Sequence, residues 1–203
     1  QRNPRTNRHP APHFTEISKS DYSLSMRTLF IIPLVLMSLV SFPSWGLTID
    51  DLVIREGLYY KKFTDVPFTG EVDGRSNGSF KNGMREGLWV IYHKNGQLGS
   101  KGYFKNDKHE GFWEYYHTNG RLLQKGHYKN GKDEGAWVSY SDNGQLDWIK
   151  NFKDGKLDGL FETYGQNGQL WGRNNYKNDK IHGEYLQYDK NGQLSSTSIF
   201  KDG

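Results

Sequence analysis

The stretch Gly135-Ala-Trp-Val-Ser-Tyr140, continued by Asp142-Asn-Gly-Gln-Leu146 and Phe152-Lys-Asp-Gly155, decides the fold of this chain. It is one copy of a unit that repeats every 24 residues. The opening glycine recurs at Gly87, Gly111, Gly135, Gly159 and Gly183, and an Asn-Gly step recurs at Asn95-Gly96, Asn119-Gly120, Asn143-Gly144, Asn167-Gly168 and Asn191-Gly192. A fixed period without slippage indicates an array in which each unit contacts only its neighbours.

Each unit has the pattern of a β-hairpin. An Asn-Gly step between β-rich runs predicts a type I′ turn, because both central residues of that turn need positive φ. Counting outward from the first such turn predicts the pairs His93 with Leu98, Ile91 with Ser100, Trp89 with Gly102 and Gly87 with Phe104.

Directly paired residues share a sheet face, so the pairing predicts which side chains form the core. The expected core face holds the five opening glycines together with Trp89, Trp113, Trp137, Phe161, Tyr185, Leu98, Leu122, Leu146, Leu170, Leu194, Phe104, Tyr128, Phe152, Tyr176 and Phe200. Strict alternation also places Tyr115 and Trp148 on this face.

The opposite face, which we call the tyrosine face, carries a second ladder. Its constant residues are Tyr92, Tyr116, Tyr140, Tyr164 and Tyr188. Their neighbours differ between copies, as Leu88, Phe112 and Ala136 do at one position. A half-polar face that varies in this way is typical of a solvated surface.

A second turn closes each unit with Lys-Asn-Gly-Lys or a close variant, as at Lys129-Asn-Gly-Lys132. Centred on Asn-Gly, this turn shifts equivalent residues by two per copy. Centred one residue later, it stacks them in register. Both choices keep every side chain on its face, because a shift of two preserves the alternation.

The combination of Gly-x-Trp-x-x-Tyr, Asn-Gly-x-Leu and Tyr/Phe-Lys-Asn-Gly-Lys resembles the bacterial variant of the MORN repeat (membrane occupation and recognition nexus), and among its members the YwqK-family antitoxins. The resemblance covers about Leu58 to Gly203. It implies an all-β fold, an elongated antiparallel β-meander of MORN-like hairpins, and a role in a toxin–antitoxin system by neutralising a partner toxin.

Composition narrows the class of protein. The chain has 203 residues, of which 15% are aromatic and none is cysteine. High aromatic content suits a flat β-array, where Tyr and Trp bury area on pleated surfaces. The absence of cysteine excludes disulfides, thiolate metal sites, a cysteine nucleophile and lipoprotein acylation.

The first 46 residues have a different character. Residues 1–25 are polar and aperiodic, and are either disordered or a non-native leader upstream of Met26. Residues 26–46 have the pattern of a signal peptide, with Arg27, an apolar run Leu29–Val40 and small residues Ser44 and Gly46. The alternative is a transmembrane anchor, but this apolar run, which contains Pro33, falls well short of the ~20 residues that a spanning helix needs, so we expect a periplasmic or extracellular protein. Residues 1–46 hold five of the 27 basic but only two of the 23 acidic residues, so the rest is nearly neutral and does not favour nucleic-acid binding.

An N-terminal cap segment is expected at 47–69, with Thr48 capping a short helix at Asp51 and a first strand at Leu58-Tyr-Tyr60. The repeats follow at 70–203. They comprise a shortened unit at 70–86, full units starting at 87, 111, 135 and 159, and a last unit from 183 that ends mid-unit.

No motif indicates catalysis. The histidines do not recur at a spacing that converges on a metal, and no calcium loop, nucleophile elbow or phosphate-binding loop is present. We therefore expect that the protein is not an enzyme and that it binds no cofactor and no metal.

The aromatic residues are the candidates for binding. Phe112 and Trp171 are expected to be exposed beside the tyrosine ladder, so the candidate partner-binding residues are Tyr92, Tyr116, Tyr140, Tyr164, Tyr188, Phe112 and Trp171. The favoured function is a non-catalytic scaffold for a protein partner, including a toxin. The alternatives are an envelope glycan- or membrane-surface-binding module and a structural spacer.

Overall fold

The computed structural model describes residues 46–201. The predicted leader (1–25), and the predicted signal peptide (26–46) except for its last residue, lie outside the described residues.

Fourteen strands make up nearly all of the described chain. They are β1 (Leu52–Arg55), β2 (Leu58–Lys61), β3 (Gly70–Val72), β4 (Ser76–Lys81), β5 (Met84–Tyr92), β6 (Leu98–Lys105), β7 (Lys108–Tyr116), β8 (Leu122–Lys129), β9 (Lys132–Tyr140), β10 (Leu146–Lys153), β11 (Lys156–Tyr164), β12 (Leu170–Lys177), β13 (Lys180–Tyr188) and β14 (Leu194–Phe200). β1 and β2 pair with each other, while β3 to β14 form one sheet in sequential order. All pairings are antiparallel, as the repeat predicted.

The type I′ turns lie at the second turn of each unit. Asn130 and Gly131 have φ of 54° and 80°, and Lys129 pairs directly with Lys132 across them. The equivalent central residues, Asn82-Gly83, Asn106-Asp107, Asp154-Gly155 and Asn178-Asp179, also have positive φ. Asn and Asp tolerate this left-handed conformation better than other non-glycine residues do.

The first turn is not type I′, so that prediction was wrong. Gly96 has φ of 83°, but Asn95 is not left-handed. The Gly96 N–H donates to the His93 carbonyl, and the His93 N–H donates to the Gln97 carbonyl. This is a three-residue loop in which a type I turn is followed by a left-handed glycine. The Asn95 side chain stabilises it, because its Oδ1 accepts from the Gln97 N–H at 3.1 Å.

The longer loop places the leucines that recur in each unit on the tyrosine face. Ile91–Ser100, Trp89–Gly102 and Gly87–Phe104 pair as predicted, but Leu98 pairs with Tyr92 instead of His93. Gly99 is the extra residue of a bulge, and one extra residue reverses the alternation. Leu122, Leu146, Leu170 and Leu194 pair with Tyr116, Tyr140, Tyr164 and Tyr188 in the same way. The leucines therefore belong to the tyrosine face, and their prediction as core residues was wrong.

The opening glycines pair with core-face aromatic residues as predicted, Gly111 with Tyr128 for example, but they also lie in bulges against the preceding strand. Gly111 and Phe112 are two extra residues of β7 between the pairs Lys101–Glu114 and Tyr103–Glu110, so they form a bulge against β6. Gly87, Gly111, Gly135, Gly159 and Gly183 all have left-handed φ, between 68° and 113°. Because of this bulge, both of the alignments that the sequence left open between successive units occur in different parts of the sheet. Equivalent residues are in register at Val90, Lys101 and Glu114, and are shifted by two at the type I′ turn.

The core is a row of aromatic side chains on the face opposite the tyrosine ladder. Trp89, Trp113 and Trp137 are buried, with Trp113 only 1% exposed, and the rings of Phe104 and Trp113 meet edge to face at 5.1 Å. Each indole covers a glycine of the preceding strand. A Cβ at Gly102 would lie 2.2 Å from Trp113 Cδ2, and Gly78 and Gly126 stand in the same relation to Trp89 and Trp137. Where the aromatic residue becomes Phe161 or Tyr185, its partner in the preceding strand is Lys150 or Asn174.

The N-terminal cap closes one end of this core. Thr48 caps a single 3₁₀ turn, and its N–H and Oγ1–H both donate to Asp51 Oδ2, as the sequence predicted. The strand predicted at Leu58-Tyr-Tyr60 is the second strand, because Leu52–Arg55 precedes it. Tyr59 packs on Phe80 with ring centroids 4.7 Å apart, and the Tyr59 N–H donates to the Gly83 carbonyl.

Candidate interaction face

The tyrosine ladder lies at one edge of its face. Each tyrosine is the last residue of an odd-numbered strand, from β5 to β13, and is paired with a leucine on the next strand. All five tyrosines are half-buried. Each ring is therefore partly packed against the sheet and partly open to solvent.

A row of cross-strand partners runs beside the ladder. From β5 to β14 it reads Val90, Lys101, Glu114, Lys125, Val138, Ile149, Glu162, Arg173, Leu186 and Thr197. The charged residues of this row form two flanks. Lys101, Glu114 and Lys125 lie on one side of Val138 and Ile149, and Glu162 and Arg173 lie on the other side. The face therefore carries a different pattern in each unit above a constant backbone.

The first charged flank is a hydrogen-bonded triad. Lys101 Nζ lies 2.7 Å from Glu114 Oε2, and the Tyr116 hydroxyl donates to the same oxygen at 3.0 Å. The hydrogen bond with Glu114 raises the pKa of Lys101, and the hydrogen bond with Lys101 lowers the pKa of Glu114. Both groups are therefore charged at neutral pH, and their geometry is fixed before any partner arrives.

The second flank repeats this arrangement with an arginine, which lies on the strand after that of the glutamate instead of the strand before it. Arg173 Nη2 lies 2.6 Å from Glu162 Oε1, and the Tyr164 hydroxyl donates to Glu162 Oε2 at 2.9 Å. Glu162 is buried although it lies on a solvated face, because Arg173 covers it. Burial raises the pKa of Tyr164, and the hydrogen bond to Glu162 adds to that shift.

Three apolar side chains stand clear of the face. Leu88, Tyr103 and Phe112 are 50%, 53% and 51% exposed. Leu88 pairs directly with Tyr103, and Phe112 lies on the adjacent strand β7. The exposure of Phe112 was predicted correctly. Tyr103 was missed, although it follows Gly102 and so alternates with the core residue Phe104.

Trp171 is 63% exposed, as predicted, but it does not alternate with the tyrosines. It is the extra residue of the β12 bulge, between the pairs Thr163–Gly172 and Tyr164–Leu170. Tyr115 and Trp148 lie on the core face as predicted. Tyr115 stacks on Trp113 at 5.8 Å, and Lys150 Nζ, opposite the core residue Trp137, lies 4.2 Å from the centre of the Trp148 ring.

Within residues 46–201, no group of three or more His, Asp or Glu side chains is arranged to hold a metal ion. In the same part of the chain, no helix is long and apolar enough to cross a membrane.

Four segments of the chain match the family model described as MORN repeat variant. They are residues 85–106, 110–130, 157–178 and 181–202. Each matched segment spans one hairpin around a three-residue loop, so the match agrees with the strand pairing. No curated protein matches the chain at a significant level.

Proposed function

We propose that this protein, four segments of which match the MORN repeat variant, is a non-catalytic scaffold that binds a protein partner through its tyrosine face. Repeats of this kind are generally protein- or membrane-interaction scaffolds. The observation that carries the proposal is the combination of a constant aromatic ladder with neighbours that change from unit to unit. Aromatic side chains supply contact area at low entropic cost, and the varied positions supply specificity.

The patch of Leu88, Tyr103 and Phe112 is the proposed anchor. Exposed aromatic and aliphatic side chains of this size are typical of residues that fill pockets on a partner. The triad of Lys101, Glu114 and Tyr116 lies beside the patch and is already hydrogen-bonded. A partner therefore meets an ordered polar rim and loses little side-chain entropy there.

Co-purification from the native envelope tests this role. We expect a protein to be captured by the wild-type chain and lost in a Tyr103→Ser/Phe112→Ser variant, whose exposed positions leave the fold intact. The matched control is Ile54→Ser/Val66→Ser, since these side chains are at least as exposed but lie outside the tyrosine face. Retention on peptidoglycan that depends on Tyr103 and Phe112, without a captured protein, would instead assign the face to the glycan alternative.

In finer terms, the proposed partner is a toxin that acts outside the cytoplasm. The support for this step is the resemblance of the repeat to the YwqK-family antitoxins, together with the signal-like pattern of residues 26–46. A protein captured through the face should be toxic when produced alone in the envelope and harmless when produced with this chain. A captured protein that is harmless on its own would leave the scaffold role and remove the antitoxin role.

A further inference from the structure

Trp171 lies between two clefts near the end of the repeat array. One cleft, of about 460 Å³, is lined by Trp171 with Leu170, Gly165, Gln169, Asp189 and Lys190, among others. The second, of about 330 Å³, is lined by Trp171 with Thr163, Gln187 and Tyr188, among others. The exposed indole is therefore a wall shared by two clefts, of which the larger is mainly apolar in its lining.

Other repeat units carry a side chain at the position of Gly165, which lines the first cleft. In the first two full units a histidine occupies the position of Gly165, and its Nε2 hydrogen-bonds to a tyrosine carbonyl 23 residues on. His93 reaches the carbonyl of Tyr116, and His117 reaches that of Tyr140, both at 2.9 Å. Gly165 has no side chain, so it cannot make the equivalent hydrogen bond to the carbonyl of Tyr188.

Acceptors surround the space left by the missing ring. Asp189 Oδ1 accepts from the N–H groups of Asn191 and Gln193, at 2.8 and 2.9 Å. Asp189 Oδ2 has no hydrogen bond within the part of the chain that the structure describes. The cleft thus combines a carboxylate oxygen, a tyrosine carbonyl at its margin and the open face of an indole.

The chain twice completes this combination with an arginine. The Arg85 guanidinium lies 3.9 Å from the centre of the Phe104 ring, and its Nε lies 2.5 Å from Asp107 Oδ1. Arg55 lies 4.1 Å from the centre of the Tyr60 ring, and its Nη1 lies 2.8 Å from Asp65 Oδ1. Trp171 and Asp189 supply the same aromatic ring and carboxylate without the guanidinium.

We propose that the cleft beside Trp171 and Gly165 receives an arginine side chain of the protein partner. The guanidinium stacks on the Trp171 indole and donates to Asp189 Oδ2 and the Tyr188 carbonyl, the acceptor that histidine serves in the earlier units. A planar, weakly hydrated cation suits both a π face and divergent acceptors. This inference rests on the proposed binding of a protein.

Titration with Nα-acetyl-arginine amide, followed by the indole N–H signal of Trp171 in ¹⁵N-correlated NMR spectra, tests the site. The signal is identified by its loss in Trp171→Leu, which restores the residue type of Leu123 in an earlier unit. We expect saturable shifts, with a dissociation constant on the order of millimolar for a single side chain. Nα-acetyl-lysine amide and N-acetylglucosamine should shift the signal at least about fivefold less at equal concentration.

Gly165→His is the matched variant, because it restores the ring that earlier units place there. Gly165 is not left-handed, and a Cβ there would lie 3.0 Å from Asn167 Oδ1. An earlier unit accommodates His93 beside the equivalent Asn95, whose Oδ1 makes the same bond to the turn, so the fold should persist. We expect it to abolish the arginine-induced shift, and Asp189→Asn, which keeps Oδ1 as an acceptor, to weaken it. An unchanged shift in Gly165→His, the absence of a shift in the wild type, or a stronger response to N-acetylglucosamine would overturn the assignment. Each of those results leaves capture through Tyr103 and Phe112 intact, so it is separable from failure of the scaffold role.

Discussion

Glycine residues perform two different tasks in this chain, and they are distinguishable residue by residue. Gly144 has φ of 90°, and a Cβ there would meet nothing within 4 Å. Gly102 has ordinary backbone geometry, but a Cβ there would lie 2.2 Å from the Trp113 ring. The first glycine is needed for its backbone conformation and the second for the absence of a side chain.

Gly144→Val therefore tests backbone strain alone. A β-branched residue at left-handed φ should lower the free energy of unfolding by more than about 1 kcal/mol. Gly165→Val, at a position that earlier units fill with histidine or serine, should cost less. Urea denaturation of both variants measures the difference, and equal losses would contradict the assigned turn.

Gly102→Ala tests packing alone. The added methyl group must displace a buried indole, so we expect the free energy of unfolding to fall by about 1–3 kcal/mol. Gly172→Ala is the control, because an earlier unit places Ser100 at the position of Gly172, and a Cβ there would lie 3.0 Å from the Thr163 hydroxyl, which can rotate away. If both substitutions cost the same, the indole does not impose the glycine.

At the scale of elements, side chains join each hairpin to the next. The Asn95 Nδ2 donates to the Thr118 carbonyl at 2.7 Å, and Glu86 Oε2 accepts from the Asn106 N–H at 2.9 Å. Asn119 with Asp142, and Glu110 with Asn130, repeat these bonds one unit on. Turns at both edges of the sheet are therefore tied to their neighbours, which keeps the hairpins in step.

Strands β6, β7 and β8 meet around His109, whose ring lies 4.5 Å from that of Phe104, 4.3 Å from that of Trp113 and 4.8 Å from that of Tyr128. Burial, and then the charge of Arg85, lower the pKa of His109. The folded state therefore binds this proton more weakly than the unfolded state, whose histidine titrates near pH ~6.5.

Stability should accordingly fall as pH drops through and below ~6.5, since the unfolded chain takes up the proton first. His109→Leu, which installs the residue type of Leu157, should lose less stability than the wild type between pH 7.5 and 5.5 in urea denaturation. Burial raises the pKa of Asp133, which acts in the opposite direction but is present in both proteins. An equal loss in the two proteins would remove His109 as the cause.

At the scale of the whole described chain, burial is uneven. The buried cluster of Leu52, Val72, Phe80, Trp89, Phe104 and Trp113 belongs to the N-terminal half, whereas every residue of β14 is exposed. In a repeat array, local stability follows the contacts each unit makes with its neighbours. We expect backbone amides of β5 to β9 to exchange with deuterium more slowly than those of β12 to β14. Uniform protection across the sheet would show that the aromatic core does not set local stability.

The N-terminal residues carry a prediction of their own. Expressed from Met26 in a Gram-negative host, the chain should be recovered outside the cytoplasm with a mature N-terminus near Leu47, because residues 26–46 have the pattern of a signal peptide. N-terminal sequencing and fractionation measure this. A protein that keeps Met26 and stays in the cytosol would contradict export, and would return any antitoxin role to the cytosol.

The candidate face was only partly readable from the sequence. The tyrosine ladder and the exposure of Phe112 follow from period and alternation, because both depend on neighbouring residues alone. The protrusion of Tyr103, the burial of Glu162 under Arg173 and the clefts beside Trp171 depend on which side chain lies on the next strand. Those contacts are set by register, which local patterns constrain weakly.

The 24-residue period, the sequential antiparallel order and the aromatic residues of the core follow from the amino-acid sequence alone, since hairpin signals and alternation act over a few residues. The bulges at Gly99 and Gly111, and with them the turn types and the face of each leucine, are set by contacts between strands. A bulge is chosen by the fit between strands. An indole such as Trp113 must lie over a glycine of the preceding strand, and the backbone bonds must still be satisfied on both sides, so two strands have to meet before the register exists.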